Sequence, residues 1–171
     1  MKKSITVFSI LLVLIIGIGA VQYFNRPDGA TIESREAQLQ EKSKGKLWLI
    51  SVEEKIDDYI ISGIYSGYDE SGIAVFEPKG DGKYKLQTRI SRDNDRIILT
   101  SSYIGGRWYD IIWFNGAKTD NAEITYTLDG VKQEPIIHNS KDMEIFINPA
   151  PIKDEYAIDV VYHDSEGNKY K

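Results

Sequence analysis

A chain of 171 residues has room for one domain plus a further segment, and its 42% hydrophobic content is enough to bury a core. There are 26 acidic and 21 basic residues, a net charge of −5; over 47–171 the ratio is 22 to 14, a net of −8. Such a body excludes nucleic-acid or anionic-lipid binding by bulk electrostatics. The absence of cysteine excludes disulfides, thiolate metal sites, thiol nucleophiles and the lipid anchor of lipoproteins.

The chain opens with Lys2 and Lys3, followed by an apolar run from Ile5 to Phe24 broken only by Thr6, Ser9 and Gln22. Roughly 20 residues rising about 1.5 Å each cross a hydrocarbon core of about 30 Å. Residues 1–24 are therefore expected to be a signal-anchor transmembrane helix, with 5–24 in the membrane. The flanking lysines place the N-terminus in the cytoplasm and the remainder outside the cell. A cleaved signal peptide competes, with Ala20 at the cleavage position, but the run exceeds an h-region of about 7–15 residues and no A-x-A site follows.

Residues 25–46 carry few large apolar side chains besides Ile32 and Leu39. Pro27-Asp28-Gly29 breaks the chain, and 31–44 favours a polar, solvent-exposed helix, so the segment reads as a stalk or linker. Residues 47–171 then form the extracytoplasmic domain. Over 47–57 the stripe Leu49, Val52, Ile56 predicts a short helix, although Trp48, Ile50 and Val52 also fit alternation.

From Tyr59 onward the pattern is strands and turns. A strand is expected over Tyr59–Tyr65, then Ile73–Phe76 ending before Pro78, then an alternating strand through Tyr84, Leu86, Thr88 and Ile90. Ile97–Ile104 and Arg107–Phe114 flank Gly105-Gly106, a two-residue hairpin signal. Both faces of 107–114 carry large apolar groups, so that strand should be central and covered on both sides. Strands are also expected at 124–128, 131–138, 143–147 and 156–162, with a short last edge strand. The fold class is thus mainly β, antiparallel and sandwich-like or two packed sheets, with a transmembrane helix and one short helix before the sheet.

The order Tyr59-Ile60-Ile61-Ser62-Gly63, Gly72-Ile73-Ala74-Val75-Phe76-Glu77, Ile111-Ile112-Trp113-Phe114-Asn115-Gly116 and His163-Asp164-Ser165-Glu166-Gly167-Asn168 resembles small membrane-anchored extracytoplasmic proteins of Gram-positive bacteria. The resemblance spans most of 47–171 plus the anchor. It implies a location and a fold, and supplies no catalytic or binding residue.

Chemistry is sparse. His138 and His163 are the two histidines, 25 positions apart, and no G-x-S-x-G elbow is present, so neither a serine triad nor a zinc site is assembled. The oxygen-rich runs Asp93-Asn94-Asp95 and Asp164-Ser165-Glu166-Gly167-Asn168 lack the closing glutamate of a calcium loop and read as turns. Asp110 interrupts the doubly apolar strand. Buried, it would need Arg107, Arg96 or several donors; a strand-end residue facing solvent is the plainer reading. Tyr103, Trp108, Tyr109 and Trp113 cluster at the Gly105-Gly106 hairpin, and alternation sends most of them into a core. Any that are exposed mark a contact surface, so the candidate binding residues are Tyr103, Arg107, Trp108, Tyr109 and Asp110. No catalytic residue, metal ligand or cofactor is assigned. The expected function is a binding module of the cell envelope that contacts an envelope protein or wall component. A carboxylate hydrolase and a structural or assembly protein are the alternatives.

Overall fold

The computed structural model describes residues 26–43, 45–67, 69–93, 97–115, 119–139, 143–152 and 155–170, apart from the side chain of Thr119. The apolar run 5–24, Arg96 and the Asn94-Asp95 part of one calcium candidate lie outside these residues. Among the described residues no helix is long and apolar enough to cross a membrane. Counted over the described residues, the body is mainly antiparallel β, 64% strand in three sheets, with one short helix.

Helix α1 (Ile32–Glu41) starts at Thr31, whose side chain accepts from the Ser34 amide. The first sheet is a meander of β1 (Leu49–Ile56), β2 (Tyr59–Ser66), β3 (Glu70–Gly80) and β4 (Lys83–Asp93). The second is β5 (Ile97–Ile104) beside β6 (Arg107–Phe114), with β10 (Ile145–Pro149) on the other edge of β6. The third centres on β7 (Thr119–Leu128). It is flanked by β11 (Tyr156–Asp164) and β12 (Lys169–Tyr170) on one side, and by β8 (Val131–Lys132) and β9 (Ile136–His138) on the other.

Three hydrophobic clusters set the layers. Leu39, Trp48, Ile64, Ala74, Phe76 and Leu86 seal α1 onto the outer face of the first sheet. Ile61, Ile73 and Val75 from its inner face meet Ile98, Tyr109, Ile111 and Trp113 of the second sheet. On the far face of the second sheet, Ile112 and Phe114 meet Ala122, Ile124, Tyr126 and Tyr162 of the third. Every residue of β6 from Tyr109 to Phe114 is buried, as expected for a central strand covered on two sides.

Five expectations are corrected. The body has three sheets rather than two, because β6 buries both of its faces and needs a sheet on each. The strand expected over 131–138 is two short ones, Val131–Lys132 and Ile136–His138, interrupted where Pro135 has no amide to donate. Residues 49–56 are a strand, not a helix. A register shift between Ile50 and Val52 adds one residue to the alternation, so Leu49, Val52 and Ile56 fall on one face at spacings of three and four. The strand containing Ile73–Phe76 does not stop before Pro78. Its pairing with β2 ends at Phe76, so the missing amide of Pro78 lies where no second neighbour needs it. Helix α1 is polar yet not solvated all round, for Arg35, Gln38 and Leu39 are buried. Arg35 donates to both oxygens of Glu53, at 2.8 and 2.6 Å. Gln38 donates to the Tyr84 carbonyl at 2.8 Å and accepts from the Leu86 amide at 2.7 Å, closing the open edge of β4.

Candidate functional site

The β5–β6 hairpin carries the five candidate residues, and pleat alternation divides them between its two faces. Tyr103 and Trp108 are register partners on the face that further along packs against the third sheet. Their rings meet edge to face, 5.6 Å between centroids. They are 51% and 56% exposed, so the pair forms an aromatic shelf at the end of the covered region.

Two residues further along the same face, the next cross-strand pair is Ser101 and Asp110. Asp110 is fully buried, which corrects the solvent-facing reading. Among the described residues its donors are hydroxyls, and Arg107 bonds Tyr109 on the opposite face instead. Oδ1 accepts from Ser101 Oγ at 2.6 Å and from Tyr156 Oη at 2.7 Å, and Oδ2 accepts from Tyr126 Oη at 3.1 Å. Asn148 Nδ2 donates to Tyr126 Oη at 3.0 Å. A buried carboxylate is tolerated because several donors converge on it. Burial lifts the Tyr126 phenol well above its ordinary value of 10.0; the Asp110 charge adds to this, and the Asn148 hydrogen bond opposes it. Tyr156 is lifted by burial and then by its bond to Asp110. Both phenols therefore stay protonated as donors and clasp the second and third sheets together.

The opposite face fixes the hairpin from below. Tyr109 is buried and donates to Asp57 Oδ2 at 2.8 Å, while Arg107 bonds the same phenol oxygen and lies over the ring, 4.6 Å from its centroid. Burial raises the Tyr109 phenol, helped by Asp57 and countered by Arg107. Asp57 and Asp58 form the β1–β2 turn, both at positive φ (46° and 64°). A Cβ on Gly105 would stand 3.0 Å from that of Asp57, so the two hairpin tips interlock. Arg107 and Tyr109 thus support the shelf from behind without lining it.

Sequence reasoning missed Asp57, Ser101, Tyr126, Asn148 and Tyr156. Tyr126 and Tyr156 sit at ordinary core positions of alternating strands, and the one available signal was that buried phenols need partners.

The remaining candidates resolve into structural parts. Asp164 accepts from the Glu166 and Asn168 amides, from Asn168 Nδ2 and from Tyr170 Oη, all within 2.9 Å. Led by the Asn168 side chain, these donors hold its carboxyl down to about 2. Those bonds already order the turn. His138 stacks on Phe114 and faces Glu144 at 3.4 Å; His163 faces Glu123 at 3.4 Å. Among the described residues no three His, Cys, Asp or Glu side chains are grouped to hold a metal ion.

No protein-family model matches the chain, and no curated protein or solved structure is significantly similar to it.

Proposed function

We propose that this protein is a membrane-tethered, extracytoplasmic binding module of the cell envelope that meets its ligand on the Tyr103–Trp108 shelf. The observation that carries this reading is the shelf itself. Among the described residues this body buries its other tryptophans, Trp48 and Trp113, together with Phe76 and Phe114, and the next most exposed ring, Tyr65, is 36% exposed. Here two aromatic side chains remain more than half exposed on a hairpin braced from behind. Exposed tyrosine and tryptophan on a rigid support bind at low entropic cost. The net acidity of 47–171 disfavours anionic polymers, so the ligand class is a neutral wall glycan or a neutral to basic protein surface. The apolar run 5–24 supports the tether. A two-carboxylate hydrolase draws no support from Asp110, whose hydrogen-bonding partners among the described residues are hydroxyls.

The test is co-sedimentation of the full chain, in uncharged detergent, with purified cell-wall material. Trp108→Ala and Tyr103→Ala should each weaken binding tenfold or more while leaving the thermal midpoint within about 2 °C, since both side chains face solvent. Wild-type binding by both variants would overturn the proposal.

A further inference from the structure

A second feature lies on the other side of the first sheet, between the segment leading into α1 and the β3–β4 hairpin. There a groove of about 360 Å³ gathers five basic side chains: Arg26, Lys42, Lys79, Lys83 and Lys85. Two carboxylates, Asp28 and Glu41, share the lining, so the groove is basic within an acidic protein. Asp28 has other duties. It accepts from the Ala30 amide and Ser34 Oγ ahead of α1, and Lys83 stands 3.9 Å away. Lys79 pairs with Glu77 at 2.7 Å, whereas Lys42 and Lys85 make no ion pair among the described residues.

The scaffold is preorganised. Gln38 at the groove holds the Pro27 and Tyr84 carbonyls and the Leu86 amide, and the Tyr84 amide donates to the Asp28 carbonyl at 2.9 Å. Residues 27–28 are therefore laced to the β4 edge that carries Lys83 and Lys85.

Position supplies the second argument. Arg26 follows the apolar run by two residues, a separation of at most about 7 Å whatever their conformation. That is within a Debye length of about 8 Å, the range over which surface phosphates act on basic groups. We propose that this groove seats the phosphate of an anionic phospholipid headgroup in the leaflet from which the chain emerges. The inference rests on the membrane-tether reading above. It also locally reverses what net charge alone implies: the domain as a whole is repelled by an acidic surface, yet this one side is drawn to it.

The experiment is hydrogen–deuterium exchange on the full chain in nanodiscs, either phosphatidylcholine alone or with 30 mol % phosphatidylglycerol. Phosphatidylglycerol should slow exchange at least threefold in peptides covering 79–86 and 40–43, with no change over β6. The triple variant Lys42→Gln, Lys79→Gln, Lys85→Gln should lose that slowing; unchanged β6 protection shows that it is folded. Equal exchange in both discs, or slowing retained by the folded variant, overturns the proposal. So does the same slowing produced by millimolar glycerol phosphate in phosphatidylcholine discs, which would name a free anion instead. Chain recovered outside the discs refutes the tether reading and this inference with it, whereas insertion without slowing refutes the inference alone.

Discussion

Replacing Asp110 by asparagine tests the clasp that holds the third sheet on the second. The carboxylate accepts three hydroxyl bonds, two of them on Oδ1 at 2.6 and 2.7 Å. Bonds to a charged acceptor contribute about 1.5–3 kcal/mol each. An amide keeps one acceptor oxygen, which suits Ser101 and Tyr156, and presents N–H groups to Tyr126 where an acceptor stood. At least one bond is lost and the others lose their charge, so Asp110→Asn should cost about 2–4 kcal/mol. Asp110→Ala leaves three hydroxyls without their acceptor and should cost more than about 4 kcal/mol, a large part of an ordinary domain's stability. The assay is urea unfolding of the full chain in uncharged detergent, followed by tryptophan fluorescence, with a lower midpoint at constant m-value. Tyr126→Phe in a double-mutant cycle with Asp110→Asn should give a coupling of about 1 kcal/mol or more. An Asp110→Asn variant within about 0.5 kcal/mol of wild type, together with additivity in the cycle, would refute the reasoning.

Other outcomes follow from the same structure. A Cβ at Gly63 would lie 2.5 Å from Trp113 Cε2 in a fully buried contact, so Gly63→Ala should cost about 3 kcal/mol. Pairing it with Trp113→Leu should recover part of that loss in the same urea assay. At high pH, a phenol raised in the folded state gives stability that is complete below 10.0 and declines above it, because only the unfolded chain ionises there. Tyr126→Phe should therefore flatten the alkaline limb of a midpoint-versus-pH curve. Asp164 works in the opposite sense: its lowered carboxyl contributes stability that is present above 3.8 and lost as pH falls toward about 2. Asp164→Asn should abolish the acid-induced rise in amide exchange at Asn168 over that window.

What the sequence disclosed depended on whether local pattern and tertiary environment agreed. The double-faced apolar run of 107–114 could satisfy itself only as a covered central strand, and Gly105-Gly106 announced its turn. At 49–56 a one-residue bulge converted a two-residue period into a helix-like stripe, so the periodicity argument returned the wrong element for a physical reason. Asp57-Asp58 gave no glycine or asparagine signal, yet aspartate tolerates positive φ and formed the hairpin turn. The shelf residues Tyr103 and Trp108 were legible as candidates because they flank the turn. The burial of Asp110 was not, since its donors come from β5, β7 and β11, 9 to 46 residues away along the chain. The basic groove was equally hidden, because its cations are spread from residue 26 to residue 85 and only the docking of α1 brings them together.

A ligand met on the Tyr103–Trp108 shelf should be caught there and nowhere else on the body. A photo-crosslinking amino acid at position 103 of the full chain, expressed in the cell, tests this directly, with position 129, in the β7–β8 turn, as the control. One discrete adduct at 103, lost on Trp108→Ala and missing at 129, is the result expected. The same adducts from both positions, or an adduct at 103 indifferent to Trp108, would contradict it.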